Sequence, residues 1–180
     1  MPESKPHLFI SHATWRANEN QRVTQILDCL FAVLDKEWDV FVDKKRLDPG
    51  VKWRPEILHR LSNAQAGIVL FDQRAVNESD WVKSEALIMC FRKSIDPDFQ
   101  LIPVLLEGVT PDDEELSIYK PFQLGEITFK HDDKRKTPGQ ISAEIKKALN
   151  VEKAKSTKPF RGWMWEFEGL LLNIHSTTLL

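Results

Sequence analysis

Short apolar runs alternate along this chain with segments in which apolar residues recur every three or four positions. The runs occupy residues 8–10, 40–42, 68–71, 101–106 and 127–129. Their length and composition are typical of buried strands, whereas the three-to-four spacing between them is typical of amphipathic helices. A chain that repeats strand and helix in this order is constrained to the α/β class.

The repeated strand–helix order also predicts how the strands are connected. Strands that are each followed by a helix pair in parallel, and right-handed crossovers place helices on both faces of the sheet. Five strands suit the flavodoxin-like order 2-1-3-4-5, so we expect a doubly wound five-stranded parallel sheet. Pro103 lacks a backbone N–H and weakens the fourth run as a central, fully hydrogen-bonded strand.

Local sequence signals predict helices over about residues 23–34, 55–61, 80–93 and 138–149. Asn77 and Ser79 supply capping side chains for the third of these helices. Thr137 and Gln140 form a capping-box pattern at the start of the last one. Residues 111–125 have no helical or strand period, and there we expect irregular structure with at most a short helix at 114–119.

A change in composition divides the chain after residue 150. We expect residues 1–150 to form one domain and residues 151–180 to form a linker with an aromatic-rich tail. The stretch 153–159 is polar and rich in Lys, and 160–172 then contains several aromatic residues. This tail is interpreted either as a helix that docks on the domain or as the start of a second domain, and the second interpretation is favoured.

Composition excludes several classes of protein. The 180 residues carry 25 Lys and Arg against 27 Asp and Glu, and this balance argues against direct nucleic-acid binding. No run approaches the roughly 20 apolar residues of a membrane span, and the first residues lack the apolar core of a signal peptide. Cys29 and Cys90 suit free thiols rather than a disulfide framework. We therefore expect a cytoplasmic protein that does not bind a membrane.

Polar side chains are expected to meet where the strand order reverses, between the first and third strands. Ser11 and His12 end the first strand, Asp72 ends the third, and the loop after the second strand begins at Asp43. Glu85 lies on the helix that follows the third strand. Because ligands of open α/β sheets bind at the carboxyl ends of the strands, these groups predict one crevice.

The residues around this crevice resemble the Toll/interleukin-1 receptor (TIR) domain family. Leu8-Phe9-Ile10-Ser11-His12 resembles its first signature box, and Val40-Phe41-Val42-Asp43 with Leu47-Asp48-Pro49-Gly50 resembles its second box and BB loop. Ser79-Asp80-Trp81-Val82-Lys83-Ser84-Glu85 matches the Ser-x-Trp-x-x-x-Glu pattern of NAD-cleaving members, although Val82 stands where many members have Cys. Trp53 matches a tryptophan found after the loop in bacterial members. The resemblance covers residues 7 to about 150.

The resemblance implies an enzyme that cleaves NAD+ to nicotinamide and ADP-ribose or a cyclic isomer, with Glu85 as the catalytic residue. The nicotinamide of NAD+ is already cationic and leaves as a neutral molecule, so no general acid is required. One carboxylate can stabilise the oxocarbenium charge, orient the ribose hydroxyls or trap the cation covalently. These three roles remain open. Trp81 lies four residues before Glu85, hence on the same helix face, and is expected to wall the nicotinamide ribose.

Further substrate contacts are expected from residues around the crevice: Ser11, His12, Asp43, Arg46, Trp53 and Asp72. Ser11 and His12 would contact the nicotinamide or ribose, or instead be a capping serine and a surface histidine. Arg46 belongs to a basic cluster suited to the diphosphate, or to a solvated turn. Asp43 would bind the loop, the substrate or neighbouring N–H groups, and Trp53 would lie near the adenine or anchor its helix.

The remaining chemistry-bearing residues give no other site. The histidines and cysteines lack metal-ligand spacing, and the sequence has neither a P-loop nor a Gly-x-Gly-x-x-Gly pattern. We therefore expect no metal and no cofactor; NAD+ is the substrate that the resemblance implies.

The resemblance also implies partners. TIR domains work when they assemble, and here self-association is expected through the BB loop, from Lys44 to Gly50. A fused or partner sensor module would switch the assembly on, in bacterial antiphage or immune-type signalling. The main alternative is a non-catalytic TIR scaffold that signals by homotypic association. A phospho-acceptor receiver domain would need paired acids after the first strand, and a deoxyribosyltransferase would lack the BB-loop pattern.

Overall fold

The computed structural model describes residues 4–13, 21–42, 53–106, 108–117, 130–131, 136–157 and 160. The strands are β1 (His7–His12), β2 (Asp39–Val42), β3 (Ala66–Phe71), β4 (Gln100–Leu105) and the two-residue β5 (Lys130–His131). The helices are α1 (Gln21–Leu34), α2 (Trp53–Asn63), α3 (Gln73–Asn77), α4 (Asp80–Ile95), α5 (Pro138–Ala148) and α6 (Val151–Ser156). No helix among these residues is long and apolar enough to cross a bilayer.

The strands form one parallel sheet in the order β2-β1-β3-β4-β5. β1 pairs with β2 and with β3, so the strand order reverses at the β1–β3 pair. The predicted α/β architecture, a parallel sheet with helices packed against it, is confirmed for the four longer strands. The fifth run, residues 127–129, lies outside the described residues, and β5 begins just after it.

Alternation along the strands divides the interior into two apolar layers. Phe9 of β1 packs with the helices α2, α3 and α4, whereas Leu8 and Ile10 pack with α1 and α5. β3 and β4 are buried along their whole length because helices cover both faces of the sheet. Each face therefore has its own core, and the parity of a strand residue decides which helices its side chain meets.

The starts of α4 and α5 agree with the predicted caps Ser79 and Thr137, whereas Asn77, also predicted to cap α4, is the last residue of α3 and donates to Gln73. Ser79 caps α4 by accepting a hydrogen bond from the Val82 N–H at 3.2 Å. Thr137 and Gln140 form the predicted reciprocal capping box at the start of α5. Pro103 pairs opposite Val69 within β4, and the described pairing with β5 starts only at the next residue. The expected weakness at Pro103 thus falls on a strand whose pairing with β5, within the described residues, consists of Val104 and Leu105.

One short helix has no counterpart among the predictions, and one predicted linker is partly helical. The chain after β3 forms the short helix α3, which composition does not indicate and which Asp72 caps. The stretch 153–159 is predicted to be a polar linker, yet its first residues belong to α6, whose Ala154 is fully buried. A single buried alanine in a lysine-rich helix leaves no apolar period to detect.

Candidate functional site

Ser11 and Glu85 meet at the carboxyl end of β1. The Ser11 hydroxyl donates a hydrogen bond to Oε2 of Glu85, and both side chains are almost completely buried, at 2% and 3% exposed. Ser11 has the parity of Phe9, so the strand alternation turns it toward α4. The structure therefore brings together two residues from separate sequence motifs.

The start of α4 sets the position of Glu85. Ser79 caps the helix, and Asp80 in the first turn interacts favourably with the helix dipole. Trp81 lies one turn before Glu85 on the same face and packs, half-buried, against the core layer that α2, α3 and α4 form with the sheet. Trp81 and Glu85 thus occupy the same face of α4, as their spacing requires, and the role of Trp81 as a wall for the ribose stays a prediction.

His12 is buried rather than a surface histidine, with 8% of its surface exposed. Its Nδ1 lies 2.9 Å from the backbone carbonyl oxygen of Ala13. A carbonyl oxygen can only accept, so Nδ1 is the donor in this contact. Strand alternation assigns His12 to the face opposite Ser11, and its contact with substrate stays a prediction.

Asp72 lies at the end of β3, next to the end of β1 in the sheet. Its carboxylate accepts a hydrogen bond from the Ala75 N–H at 2.7 Å and caps α3, and it is buried. This capping role gives Asp72 a structural function at the crevice. A contact between Asp72 and substrate stays a prediction.

The other predicted site residues fall partly or wholly outside the described residues. Asp43, Arg46 and the whole BB loop, residues 44–50, lie outside them. Trp53 is the first residue of α2, but its side chain is not part of the description. Their predicted roles therefore stay predictions.

Sequence reasoning missed Gly67 as a residue that positions α4. A Cβ added to Gly67 in β3 would lie 2.3 Å from Sδ of Met89, so this glycine permits the close approach of α4 to the sheet. An isolated glycine inside an apolar strand run is the signal that would have indicated it. Gly67 thus allows α4, the helix that bears Glu85, to lie close to the sheet.

Sequence reasoning also missed Arg92, a charged residue buried on α4. It is 1% exposed, and burial lowers its pKa to about 10. Glu85, Met89 and Arg92 recur at three-to-four spacing on one stripe of the helix, so charged residues stand at both ends of a buried stripe. This spacing is the sequence signal that would have indicated the burial of Arg92.

No nucleophilic thiol or metal cluster emerges around α4 among the described residues. Burial raises the pKa of the Cys90 thiol to about 12, which keeps it protonated and unreactive at neutral pH. Within the same residues, no group of three His, Cys, Asp or Glu side chains is arranged to hold a metal ion. The catalytic role predicted for Glu85 stays a prediction.

A cavity of about 250 Å³ lies away from this site, at the amino end of β1 and β2. It is lined by His7, Asp39, Phe41 and Arg60 among others, and Glu85 is not in its wall. Glu85 lies at the other end of the sheet, near the carboxyl ends of the strands, where parallel α/β sheets bind ligands.

Comparison with known proteins identifies the family. The family model described as the TIR domain matches residues 8–153. The chain belongs to the TIR domain family. No curated protein matches the sequence.

A solved structure extends the comparison to three dimensions. The chain is similar to the TIR domains in the structure of the activated Roq1 resistosome, which directly recognises the pathogen effector XopQ. The TM-score is 0.60 at 16% sequence identity, with 79% of this chain and 98% of that chain covered. At this identity, the similarity supports the TIR fold.

Proposed function

We propose that this TIR domain is an NAD+ glycohydrolase that cleaves NAD+ to nicotinamide and ADP-ribose or a cyclic isomer of ADP-ribose. The observation that carries the proposal is the buried carboxylate of Glu85, which Ser11 contacts at the carboxyl end of the sheet. Burying a carboxylate costs free energy, so a buried carboxylate near the carboxyl ends of the strands is expected to have a function. Catalysis at the ribosyl carbon of NAD+ is such a function.

The chemistry depends on the charges of substrate and carboxylate. As the bond between the ribose and the nicotinamide nitrogen breaks, its electron pair stays on that nitrogen and the pyridinium becomes neutral nicotinamide. The ribose carbon becomes cationic. A carboxylate held in a site of low dielectric stabilises this cation more strongly than it would in water. Attack by water gives ADP-ribose, and attack by a group of the same molecule gives a cyclic isomer.

Ser11 holds the carboxylate in place. Its hydrogen bond to Oε2 fixes the orientation of Glu85 and compensates part of the cost of a buried charge. A carboxylate has about four acceptor positions on its two oxygens, so a bond from Ser11 is compatible with bonds to ribose hydroxyls. Trp81, one turn earlier, supplies an apolar wall that would keep water from the ribose.

Self-association is proposed to switch the enzyme on. The support is the similarity of this fold to TIR domains within an activated resistosome. The BB loop, residues 44–50, is the proposed contact between copies, and a fused or partner sensor module is the proposed trigger. The proposed setting is bacterial antiphage or immune-type signalling inside the cell.

The test is release of nicotinamide from NAD+ at several protein concentrations. Glu85→Gln keeps the size of the side chain and one oxygen that can accept from Ser11 but removes the charge, and it is expected to abolish release while the circular dichroism spectrum is unchanged. Glu78→Gln is the matched control, because this side chain is 70% exposed just before α4. Equal turnover by Glu85→Gln and the original chain would refute the proposed role of Glu85.

A second candidate function is a scaffold that signals by association without catalysis. The same burial supports it, since a carboxylate bonded to a neighbouring strand also serves to fix α4 on the sheet. In that case no nicotinamide is released even at concentrations where the chain assembles, and Glu85→Gln alters stability alone.

A further inference from the structure

The chain after α5 runs past the amino ends of the strands, whereas Glu85 lies near their carboxyl ends. We call residues 150–157 together with Phe160 the C-terminal strap. Gln100, the first residue of β4, donates to the Asn150 carbonyl at 2.8 Å and accepts from the Asn150 N–H at 2.7 Å. The strap is thereby attached to the start of a central strand.

A second glutamine extends this attachment. Gln65, just before β3, donates from Nε2 to the carbonyl oxygens of Ala154 at 2.9 Å and Thr157 at 3.2 Å. Its Oε1 accepts a hydrogen bond from the His7 N–H at 2.8 Å. Both glutamine side chains use donor and acceptor together, so the strap is bonded directly to the residues at the starts of β3 and β4 and, through Gln65, to the start of β1.

Phe160 is the far end of the strap. Its N–H donates to the Ser62 carbonyl at the end of α2 over 2.9 Å, and its half-buried ring packs against the core between α2 and α4. The centre of the ring is 5.9 Å from Cζ of Arg92 on α4. This distance is at the outer limit of a cation–π contact.

Arg92 connects Phe160 to the other elements around it. Its Nη1 donates to the Leu61 carbonyl of α2, and its guanidinium lies 4.3 Å from the ring centre of Phe99, just before β4. Nε has no hydrogen-bond partner among the described residues. Arg92 and Glu85 lie two turns apart on one face of α4. The helix is thus held by Ser11 near its start and by Arg92 near its end.

We propose that the C-terminal strap is a conformational coupling device, in which docking of Phe160 on Arg92 fixes the position of α4 and so of Glu85. A change in the position of the strap is then transmitted to α4, the helix that bears Glu85, from the end of the sheet opposite the proposed substrate site. The activity part of this inference rests on the proposed NAD+ cleavage, whereas the docking part does not.

The buried charge makes this docking reversible. When Phe160 leaves, the guanidinium of Arg92 regains water, and this hydration offsets part of the cost of exposing the ring. An apolar side chain in place of Arg92 would gain nothing on exposure. A buried arginine under an aromatic ring is therefore suited to a contact that opens and closes.

Hydrogen–deuterium exchange on the full chain tests the docking part. Phe160→Ala is expected to raise exchange at the α4 amides about tenfold, because loss of the ring releases the end of this helix. Phe31→Ala is the matched control, since Phe31 is a half-buried phenylalanine on α1 in the other core. It is expected to leave exchange in α4 unchanged. Phe160→Tyr keeps the ring, so exchange at the α4 amides should stay as slow as in the original chain. Phe160→Leu keeps most of the apolar volume, and so the fold, but lacks the ring, so exchange in α4 should rise as in Phe160→Ala.

Kinetics of nicotinamide release test the coupling. Phe160→Ala and Phe160→Leu are expected to lower kcat about threefold or more with KM unchanged, because the strap positions Glu85 without touching substrate. If hydrogen–deuterium exchange in α4 is unchanged in both variants, the proposal that the strap fixes α4 is refuted, whatever the rate of nicotinamide release. If the original chain releases no nicotinamide, the proposed function fails, and the exchange comparison still decides the docking part.

Discussion

Ser11 on β1 and Glu85 on α4, separated by 74 positions in the chain, share a buried hydrogen bond from Oγ to Oε2. Two local regularities produce it. Strand alternation gives Ser11 the parity of Phe9 and so the face of α4, and the helical period places Glu85 on the buried stripe of that helix. The bond therefore joins two of the motifs that carry the resemblance to TIR domains.

Removal of this hydrogen bond is expected to destabilise the fold and lower the activity. In Ser11→Ala the buried carboxylate loses a donor, and the free energy of unfolding should fall by about 1–3 kcal/mol. Urea unfolding measures this loss. Ser94→Ala is the control, because the Ser94 hydroxyl donates only to the Phe91 carbonyl on the exposed end of α4. If Ser11→Ala is as stable as this control, the bond does not stabilise the site.

Much of the architecture can be predicted because it depends on local patterns. The helical spacing from Val23 to Leu34 and the apolar run of β3 are strong periodic signals, and α1 and β3 lie where these signals place them. The capping pattern of Thr137 and Gln140 is a pairwise signal within one turn, and it predicts the start of α5 correctly. Each of these features depends on neighbours close in the chain.

The features that sequence reasoning missed depend on partners distant in the chain or on very short elements. Helix α3 has five residues and owes its start to Asp72, which the sequence pattern assigns to the crevice. The strap depends on Gln65 and Gln100, polar residues that bond to backbone far along the sequence. The buried state of Arg92 was missed because charged residues are mostly exposed in proteins, although its spacing from Glu85 and Met89 places it on the buried stripe of α4.

A side chain at Gly67 is expected to displace α4 from the sheet. The Cβ of Gly67→Ala would lie 2.3 Å from Sδ of the fully buried Met89, so the free energy of unfolding should fall by about 1–3 kcal/mol. Thermal unfolding followed by circular dichroism measures the change.

A second glycine supplies the control for this substitution. In Gly139→Ala, on the first turn of α5, the nearest atom to the new Cβ is Thr137 Oγ1 at 3.9 Å. Alanine there is expected to be neutral or to stabilise by up to about 1 kcal/mol, because it favours the helix. Equal effects of the two substitutions would contradict the close approach of α4 at Gly67.

The capping box of α5 gives a third prediction. Thr137→Ala removes the oxygen that accepts from the Gln140 N–H, and it is expected to lower the free energy of unfolding by about 1 kcal/mol. Thr137→Ser keeps this oxygen and should preserve most of the stability. Equal losses in the two variants, measured by urea unfolding, would show that the cap contributes nothing.

The buried thiol of Cys90 makes stability depend on alkaline pH. The pKa of this thiol is about 12 in the folded chain against 9.0 for a solvated thiol, so above pH 9 the unfolded chain loses a proton that the folded chain keeps. The unfolded state then binds fewer protons, and stability falls as pH rises. Between pH 8 and pH 10 this group alone is expected to remove about 1.4 kcal/mol from the free energy of unfolding.

The variant Cys90→Ala isolates this contribution. Its free energy of unfolding in urea should be lower at pH 8, because a buried side chain is truncated, yet it should fall less between pH 8 and pH 10 than that of the original chain. Cys29→Ala, at the half-buried cysteine of α1, should keep the original slope. If the free energy of unfolding changes with pH equally in the original chain and in Cys90→Ala, the thiol is solvated in the folded state. That result would contradict the packing of α4 on the sheet, which also positions Glu85.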